Sequence, residues 1–288
     1  MLIKRNLLLF FRDKSNVFFS LFSVFIVIGL YVMFIGGIME ANLNNILGFT
    51  SGRVGVAVSS LMLGGLVAIT SVSSCLGAIA ISIRDREGPA KDFFTSPISR
   101  GKITYSYIIG SGGVGLVMTT AALALCLLYI VSRGGNMPTP TDMVLLAITT
   151  VLSVLCANAI VFCMASFAQT PNAFSAMGSV VSTLIGFLMG VYIPAGQLPE
   201  AVQWVIRVFP MSHAASMYRL ILADGELGKL FEEAGAPQEA LQEFREFFGV
   251  VFYYGGFESS FWLSAAWLAV STVVFFGISL VFVSRRKG

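Results

Sequence analysis

Along this chain, long stretches without a single charge alternate with short polar segments. Six apolar runs, at about 17–38, 55–82, 103–131, 143–167, 174–193 and 260–283, contain no Asp, Glu, Lys, Arg or His. Crossing a bilayer takes roughly 20 apolar residues at about 1.5 Å each. The pattern therefore predicts an all-α membrane protein with six transmembrane helices. The first run is too long for the apolar region of a signal peptide, and no A-x-A-like site follows it.

The segments between the runs are equally patterned. In residues 1–16, Ile3, Leu7 and Phe10 recur at helical spacing, with Lys4, Arg5, Arg12 and Lys14 elsewhere. That predicts an interfacial helix lying in the headgroup region ahead of the first span. After the fifth run, I-P-A-G-Q-L-P breaks the helix, and the amphipathic stretch 201–222 is interrupted by Pro210. It reads as two short helices, a re-entrant hairpin too broken to span, with Trp204, Arg207, Tyr218 and Arg219 suited to an interfacial depth. Residues 224–258 hold eight acids and two basic residues, and Pro237 stands near the start of a surface-helix pattern. They form a small acidic lobe, too short for a core of its own.

Charge orients the chain. With the N-terminus inside, the inner segments hold 12 of the 18 basic residues and only 4 of the 15 acids. Cytoplasmic loops carry an excess of Lys and Arg, so both termini are expected in the cytoplasm of a multi-pass protein of the cytoplasmic membrane. Composition agrees: 56% of residues are hydrophobic, 11% are charged, and mean hydropathy is +0.85. A net charge of only +3 makes nucleic acid a poor partner. Cys75, Cys126, Cys156 and Cys163 all lie inside apolar runs and read as small apolar packers, with no disulfide framework and no metal spacing.

Several motif matches fail on context. Gly110, Gly112 and Gly115 satisfy G-x-G-x-x-G but sit inside the third run with no preceding strand, so they read as small residues for close helix contact. Ser99 and Lys102 match S-x-x-K by chance. The chain has no G-x-x-x-x-G-K-[ST], no H-E-x-x-H and no G-x-S-x-G, and its one histidine, His213, stands beside Pro210 in the hairpin. A charge at the bilayer centre costs at least about 2.5–3.5 kcal/mol and persists where function needs it. Spans without charges argue against a proton-driven carrier and against acid–base catalysis in the membrane. The hydroxyls of the second run (Ser59, Ser60, Thr70) and of the fifth (Ser182, Thr183) are explained by close helix packing; the functional alternative is a mildly polar wall along a translocation path.

The segment 84–102, R-D-R-E-G-P-A-K-D-F-F-T-S-P-I-S-R-G-K, carries eight charges. Gly88 and Pro89 suit a helix start, and Pro97 disfavours helix at Ser96, leaving about two turns. Ala90, Phe93 and Phe94 share one face of them. Such a helix either lies on lipid or presents its aromatic pair to a soluble partner.

The order of these pieces resembles the membrane subunit of ABC-2 type exporters. Arg86-Glu87-Gly88, Lys91-Asp92-Phe93-Phe94 and Ser96-Pro97-Ile98-Ser99-Arg100 are similar to that family's inner segment. Pro194, Leu198-Pro199, Trp204, Pro210, Ser212 and Arg219 are similar to its outer stretch, whereas the acidic lobe is larger than in many members. The resemblance implies that 84–102 holds a cytoplasmic coupling helix docking a separate cytosolic ATPase, which uses ATP and Mg; this chain binds no cofactor itself. The ATPase-coupling residues would be Arg86, Glu87, Gly88, Lys91, Asp92, Phe93, Phe94 and Pro97, with Thr170 and Pro171 as a second contact. Two permease protomers, identical or not, would pair. A substrate path lined by Ser59, Ser60, Thr70, Ser182, Thr183 and Phe187 would run between spans 2 and 5. Pro194, Pro199, Trp204 and Pro210 would belong to an outer gate. The expected activity is ATP-driven export of an amphiphilic molecule: a drug, an antimicrobial peptide or a lipid-linked compound. The alternative is a membrane-anchored sensor or assembly protein that binds a partner through the outer lobe; a membrane-embedded enzyme lacks a catalytic constellation.

Overall fold

The computed structural model describes residues 2–48, 51–87, 100–168 and 170–285, and these are almost entirely helical. Helix α1 is Leu2–Arg12. Then α2 (Lys14–Leu30), a π-helical turn (Tyr31–Ile35) and α3 (Gly36–Leu47) follow one another without a gap. The long helices α4 (Gly52–Glu87), α5 (Arg100–Ser132), α6 (Pro140–Phe167) and α7 (Pro171–Leu188) come next. The hairpin is α8 (Glu200–Val208) and α9 (Pro210–Leu222), and the acidic lobe is α10 (Asp224–Glu233) and α11 (Gln238–Phe247). Antiparallel β1 (Tyr253–Tyr254) and β2 (Phe257–Glu258) lead into α12 (Phe261–Arg285).

Five helices among the described residues are long and apolar enough to cross a membrane: Gly52–Arg84, Gly101–Ser132, Pro140–Phe167, Pro171–Leu188 and Phe261–Phe282. The run at 17–38 is helical too, but the π turn divides it into α-helical pieces of 17 and 12 residues, and helix continues to Leu47, beyond the expected end. The turn buries Tyr31, whose hydroxyl accepts a hydrogen bond from Ser59 at 3.1 Å. Gly36 follows it, where a Cβ would lie 2.8 Å from the Tyr31 carbonyl oxygen. The fifth run ends at Leu188, five residues short of its expected limit, because Gly190 at φ +60 turns the chain.

Local sequence explains the helix starts. Thr139 and Asp142 form a capping box on α6: Thr139 Oγ1 accepts from Asp142 N at 3.3 Å, and Asp142 Oδ2 accepts from Thr139 N at 3.0 Å. Pro140 and Pro171 occupy first-turn positions of α6 and α7, where their missing N–H costs nothing.

Helix α4 is the axis of the molecule. The main core joins its Leu63, Leu66 and Val67 to Ala122 and Cys126 of α5, Val154 and Ala157 of α6, Met217 of α9 and Leu268 of α12. All four cysteines are buried and free. A second core unites the start of α4 (Val54, Ala57, Val58, Leu61) with Leu227, Leu230, Phe231 and Phe244 of the lobe. The lobe thus borrows the core that its length denies it. The end of the bundle carrying α8–α11 is called the lobe end below; the α4–α5 connection marks the other.

At that other end α1 packs on the bundle. Phe10 is buried with Ala78, Val114 and Met118, and Asn6 Nδ2 donates to Ser106 Oγ at 3.2 Å. Ile3, Leu8 and Phe11 stay exposed. The glycine-rich stretch of α5 makes this contact possible. A Cβ at Gly110 would lie 2.9 Å from Asn6 Cβ, one at Gly113 would lie 3.0 Å from Leu7 Cδ2, and one at Gly115 would lie 2.8 Å from Val154 Cγ1. The G-x-G-x-x-G match is a helix-packing surface.

Candidate functional site

Of the stretch expected to couple to an ATPase, Arg86 and Glu87 are the last residues of α4, while Gly88, Lys91, Asp92, Phe93, Phe94 and Pro97 lie outside the described residues. Thr170 caps α7, its Oγ1 accepting from Ala173 N at 3.1 Å, and Pro171 is the first residue of that helix.

The residues expected along a path fall into two sets. Ser59, Ser60 and Thr70 are fully buried inside the protomer. Ser59 donates to Tyr31 and to Gly55 O, Thr70 donates to Leu66 O of its own helix at 2.9 Å, and Ser60 has no partner among the described residues. Ser182, Thr183 and Phe187 lie on the exposed face of α7, with Val180 and Leu184 beside them. Within one protomer the two sets do not share a surface.

The hairpin departs furthest from expectation. Pro194 precedes a 3-10 turn at Ala195–Gln197, Pro199 precedes α8, and Pro210 opens α9. Trp204 is about half exposed, with the Arg207 guanidinium 5.4 Å from its ring centroid. Tyr218 and Arg219 are not at an interface. Their helix is inserted among α4, α6 and α12, and every residue from Pro210 to Arg219 is buried. A 13-residue helix is only about 20 Å long, too short to cross a bilayer. Polar backbone at such depth is tolerated where protein surrounds it.

Side chains of α9 satisfy the groups around it. Tyr218 Oη lies 3.0 Å from Thr150 Oγ1, and Ser216 donates to Val250 O at 2.6 Å. His213 bridges elements: Nδ1 is 3.1 Å from Ser264 Oγ and Nε2 is 3.0 Å from Arg207 O, with the ring edge-on to Phe252 at 5.1 Å. Burial lowers its pKa, while the bond to Arg207 O opposes the shift. The neutral Nε2–H tautomer, donating to that carbonyl and accepting from Ser264, fits these contacts.

Arg219, 2% exposed, faces no carboxylate among the described residues. Its guanidinium donates to four carbonyls: Nε to Leu61 O at 3.0 Å, Nη2 to Met189 O at 2.6 Å and Gly190 O at 3.0 Å, and Nη1 to Gly249 O at 3.3 Å. Two of these, Met189 O and Gly190 O, lie just past the end of α7, where the helix dipole favours a cation. Ser212 donates to the preceding carbonyl, Leu188 O, at 2.9 Å. Three successive carbonyls at and just past the end of α7 are therefore capped by α9. Burial pulls the Arg219 pKa down to about 10, which leaves it charged at neutral pH. Gly64 and Gly65 admit the side chain: a Cβ at Gly65 would lie 2.5 Å from Val191 Cγ2 and 2.9 Å from Arg219 Nη2.

A membrane bundle organised on one long helix, with a buried half-length hairpin between its spans, is the setting in which the comparison with known families has meaning. The ABC-2 type transporter profile matches residues 1–223. The chain belongs to the ABC-2 type transporter family. It is a multi-pass membrane protein and a permease subunit of an ABC transporter; members of the ABC-2 family generally pair with a cytosolic ATPase and dimerise. The match ends at residue 223, between α9 and α10, so the acidic lobe and α12 lie beyond it. No curated protein matches the sequence. The burial of Arg219 in this ABC-2 chain has a sequence signal: one cation in an otherwise uncharged helix, P-M-S-H-A-A-S-M-Y-R-L-I-L, and a Gly-Gly pair in the longest span. What neither stretch could reveal alone is that they meet.

Proposed function

We propose that this chain is the permease of an ATP-driven exporter in the cytoplasmic membrane, with six spans, both termini inside and an amphiphilic substrate. Residues 84–102 dock the separate ATPase, through Phe93 and Phe94 above all. The observation that carries this reading is the overshoot of α4 and α5. They have 36 and 33 residues, about 54 and 50 Å of helix, against a hydrocarbon core about 30 Å thick. That excess length leaves room for the ends of α4 and α5 opposite the lobe to stand clear of the lipid.

A second protomer covers the exposed face of α7, so that Ser182, Thr183 and Phe187 face a path between subunits. The hairpin is the outer gate. Because α9 caps the end of α7 through Ser212 and Arg219, displacement of the hairpin is tied to displacement of α7.

Affinity purification tests the coupling. A P-loop ATPase is expected to co-purify with the wild-type chain and to be lost from Phe93→Ala/Phe94→Ala. Asp92→Lys is expected to retain a folded subunit but uncouple ATP hydrolysis from transport. Unchanged co-purification in the double variant removes 84–102 as the docking segment.

A further inference from the structure

A cavity of ≈ 700 Å³ opens at the lobe end between α3, the start of α4, the turn at 192–197 and α11. Its volume lies within the range of small-molecule sites. Ile38, Leu43 and Val58 line one side; Phe244, Phe247 and Phe248 line the other. Tyr192 closes it from the turn, and Gly196 seats that turn on Phe247, where a Cβ would lie 2.4 Å from the ring. The polar contributions to the lining are few: the amides of Asn42, Asn45 and Gln197, and the carboxylate of Glu243.

That carboxylate belongs to an exposed residue and, among the described residues, has no cation beside it. Most acids of the lobe are engaged: Asp224 with Arg245, Glu226 with Lys229, Glu233 with Arg53, Glu246 with Arg207, and Glu258 with the Tyr253 hydroxyl. Among the described residues Glu232, Glu239 and Glu243 have neither an ion pair nor a hydrogen bond. Glu239 and Glu243 stand four residues apart on α11, where like charges repel. Among the described residues no cationic side chain lines the cavity. The cavity also continues outwards: Ile38 belongs to it and is 64% exposed, one turn from Phe34 on the apolar outer surface of the π turn.

From this arrangement we infer that the cavity binds an amphiphilic cation, its apolar body against the Phe244–Phe248 wall and its positive charge at Glu243. Aromatic rings attract a poorly hydrated cation through their faces, and the adjacent carboxylate adds a charge that a neutral lipid tail would not use. An anionic amphiphile meets the same apolar wall and an unfavourable carboxylate. The exposed apolar surface at Phe34 and Ile38 offers such a molecule a way in from the lipid. The role of the site, holding substrate on its way out, rests on the export reading; its ligand chemistry does not.

The test is equilibrium binding of tetraphenylphosphonium and of its anionic isostere, tetraphenylborate, to the full chain in nanodiscs without any ATPase, with empty nanodiscs subtracted. Tetraphenylphosphonium is expected to saturate near one per chain, and tetraphenylborate is not. Glu243→Gln is expected to weaken the cation by about three- to fivefold, the scale of one solvent-screened carboxylate–cation contact. Glu232→Gln, away from this cavity, should leave it unchanged, and Ala240→Trp, which fills the cavity, should abolish it. If Ala240→Trp does not fold, Phe247→Ala replaces it, with weakened binding expected. Equal binding of both isosteres, or binding insensitive to these cavity variants, overturns the assignment. Absent cation binding with variants that alter self-association also overturns it, and gives the cavity to a second copy of the chain. Because no ATPase is present, loss of ATPase docking with cation binding intact refutes only the export reading, and the converse refutes only this site.

Discussion

Helices α7 and α9 are near neighbours in sequence and opposites in placement. The first has 18 residues without a charge and is long enough to cross a membrane, yet much of it faces outwards, with Val180 60% and Leu184 51% exposed. The second has 13 residues, a histidine and an arginine, and its first ten residues are all buried. In water the more polar helix would lie outside. Where lipid is the solvent the order reverses, because an unpaired polar group costs most against hydrocarbon and least against backbone carbonyls that also lack partners. The arginine and the end of α7 answer each other's deficit.

The largest effect that could break this comparison is at Arg219. Arg219→Met strands carbonyls at Met189, Gly190 and Gly249, and unsatisfied buried groups cost about 1–3 kcal/mol each, less than additively. The variant is expected to lose the folded, monodisperse protein on size exclusion in detergent. Arg219→Lys, with the charge but without the planar fork, is expected to fall between. A methionine variant that melts like the wild type would show that α9 is held by packing alone.

Next in size is Gly65→Ala, which forces a methyl group against Val191 and Arg219; overpacking of this kind costs about 1–3 kcal/mol. On α7, Gly186→Ala meets the ring of Tyr192, the tip of a 44% exposed side chain, so a smaller loss of melting temperature is expected there. Equal losses would remove the distinction between a closed site and an open one.

A pH effect should follow at His213. Burial lowers its folded pKa below 6.5, so the unfolded chain binds the extra proton first. Stability is then lost as pH falls from about 6.5 towards the folded pKa, and is fully present above 6.5. Asp224, whose pKa is raised by burial against the opposing Arg245, acts in the other direction, as pH falls towards 3.8. Melting temperature is expected to drop between pH 7.5 and 5.5 in the wild type and to change less in His213→Gln. The smallest effects belong to the outer face of α7, where Val180→Ser and Leu184→Ala should stay within about 0.5 kcal/mol in the isolated chain. A larger, concentration-dependent loss would instead reveal a partner on that face.

Much of this organisation was legible beforehand. Charge-free runs mark the long helices because a membrane span is specified by composition over some 20 residues, a property local to the segment. Thr139-Pro140 and Thr170-Pro171 mark two helix starts for the same reason: caps are built within four residues. The hairpin was legible as a break and illegible as a depth. Tyr218 and Arg219 look interfacial by type, and only Thr150, Leu61 and Met189, each far away in the chain, make them internal. The hydroxyls of α4 and α7 were indistinguishable by composition, yet Ser59 and Thr70 turned inward and Ser182 and Thr183 outward.

The sequence by itself determined that the chain lives in a membrane, which helices form, where most of them start and which end of the bundle carries the acids. Those properties follow from local hydropathy and from charge counted over neighbouring residues. Only the tertiary structure decided which polar residues face lipid, protein or cavity. It placed Arg219 on the end of α7, put Asn6 against Gly110, and left Glu243 without a partner beside an apolar cavity. Each of these depends on residues brought together from far apart in the chain, and the free energy of a buried polar group is set by what lies within about 3 Å of it, which no count along the chain records.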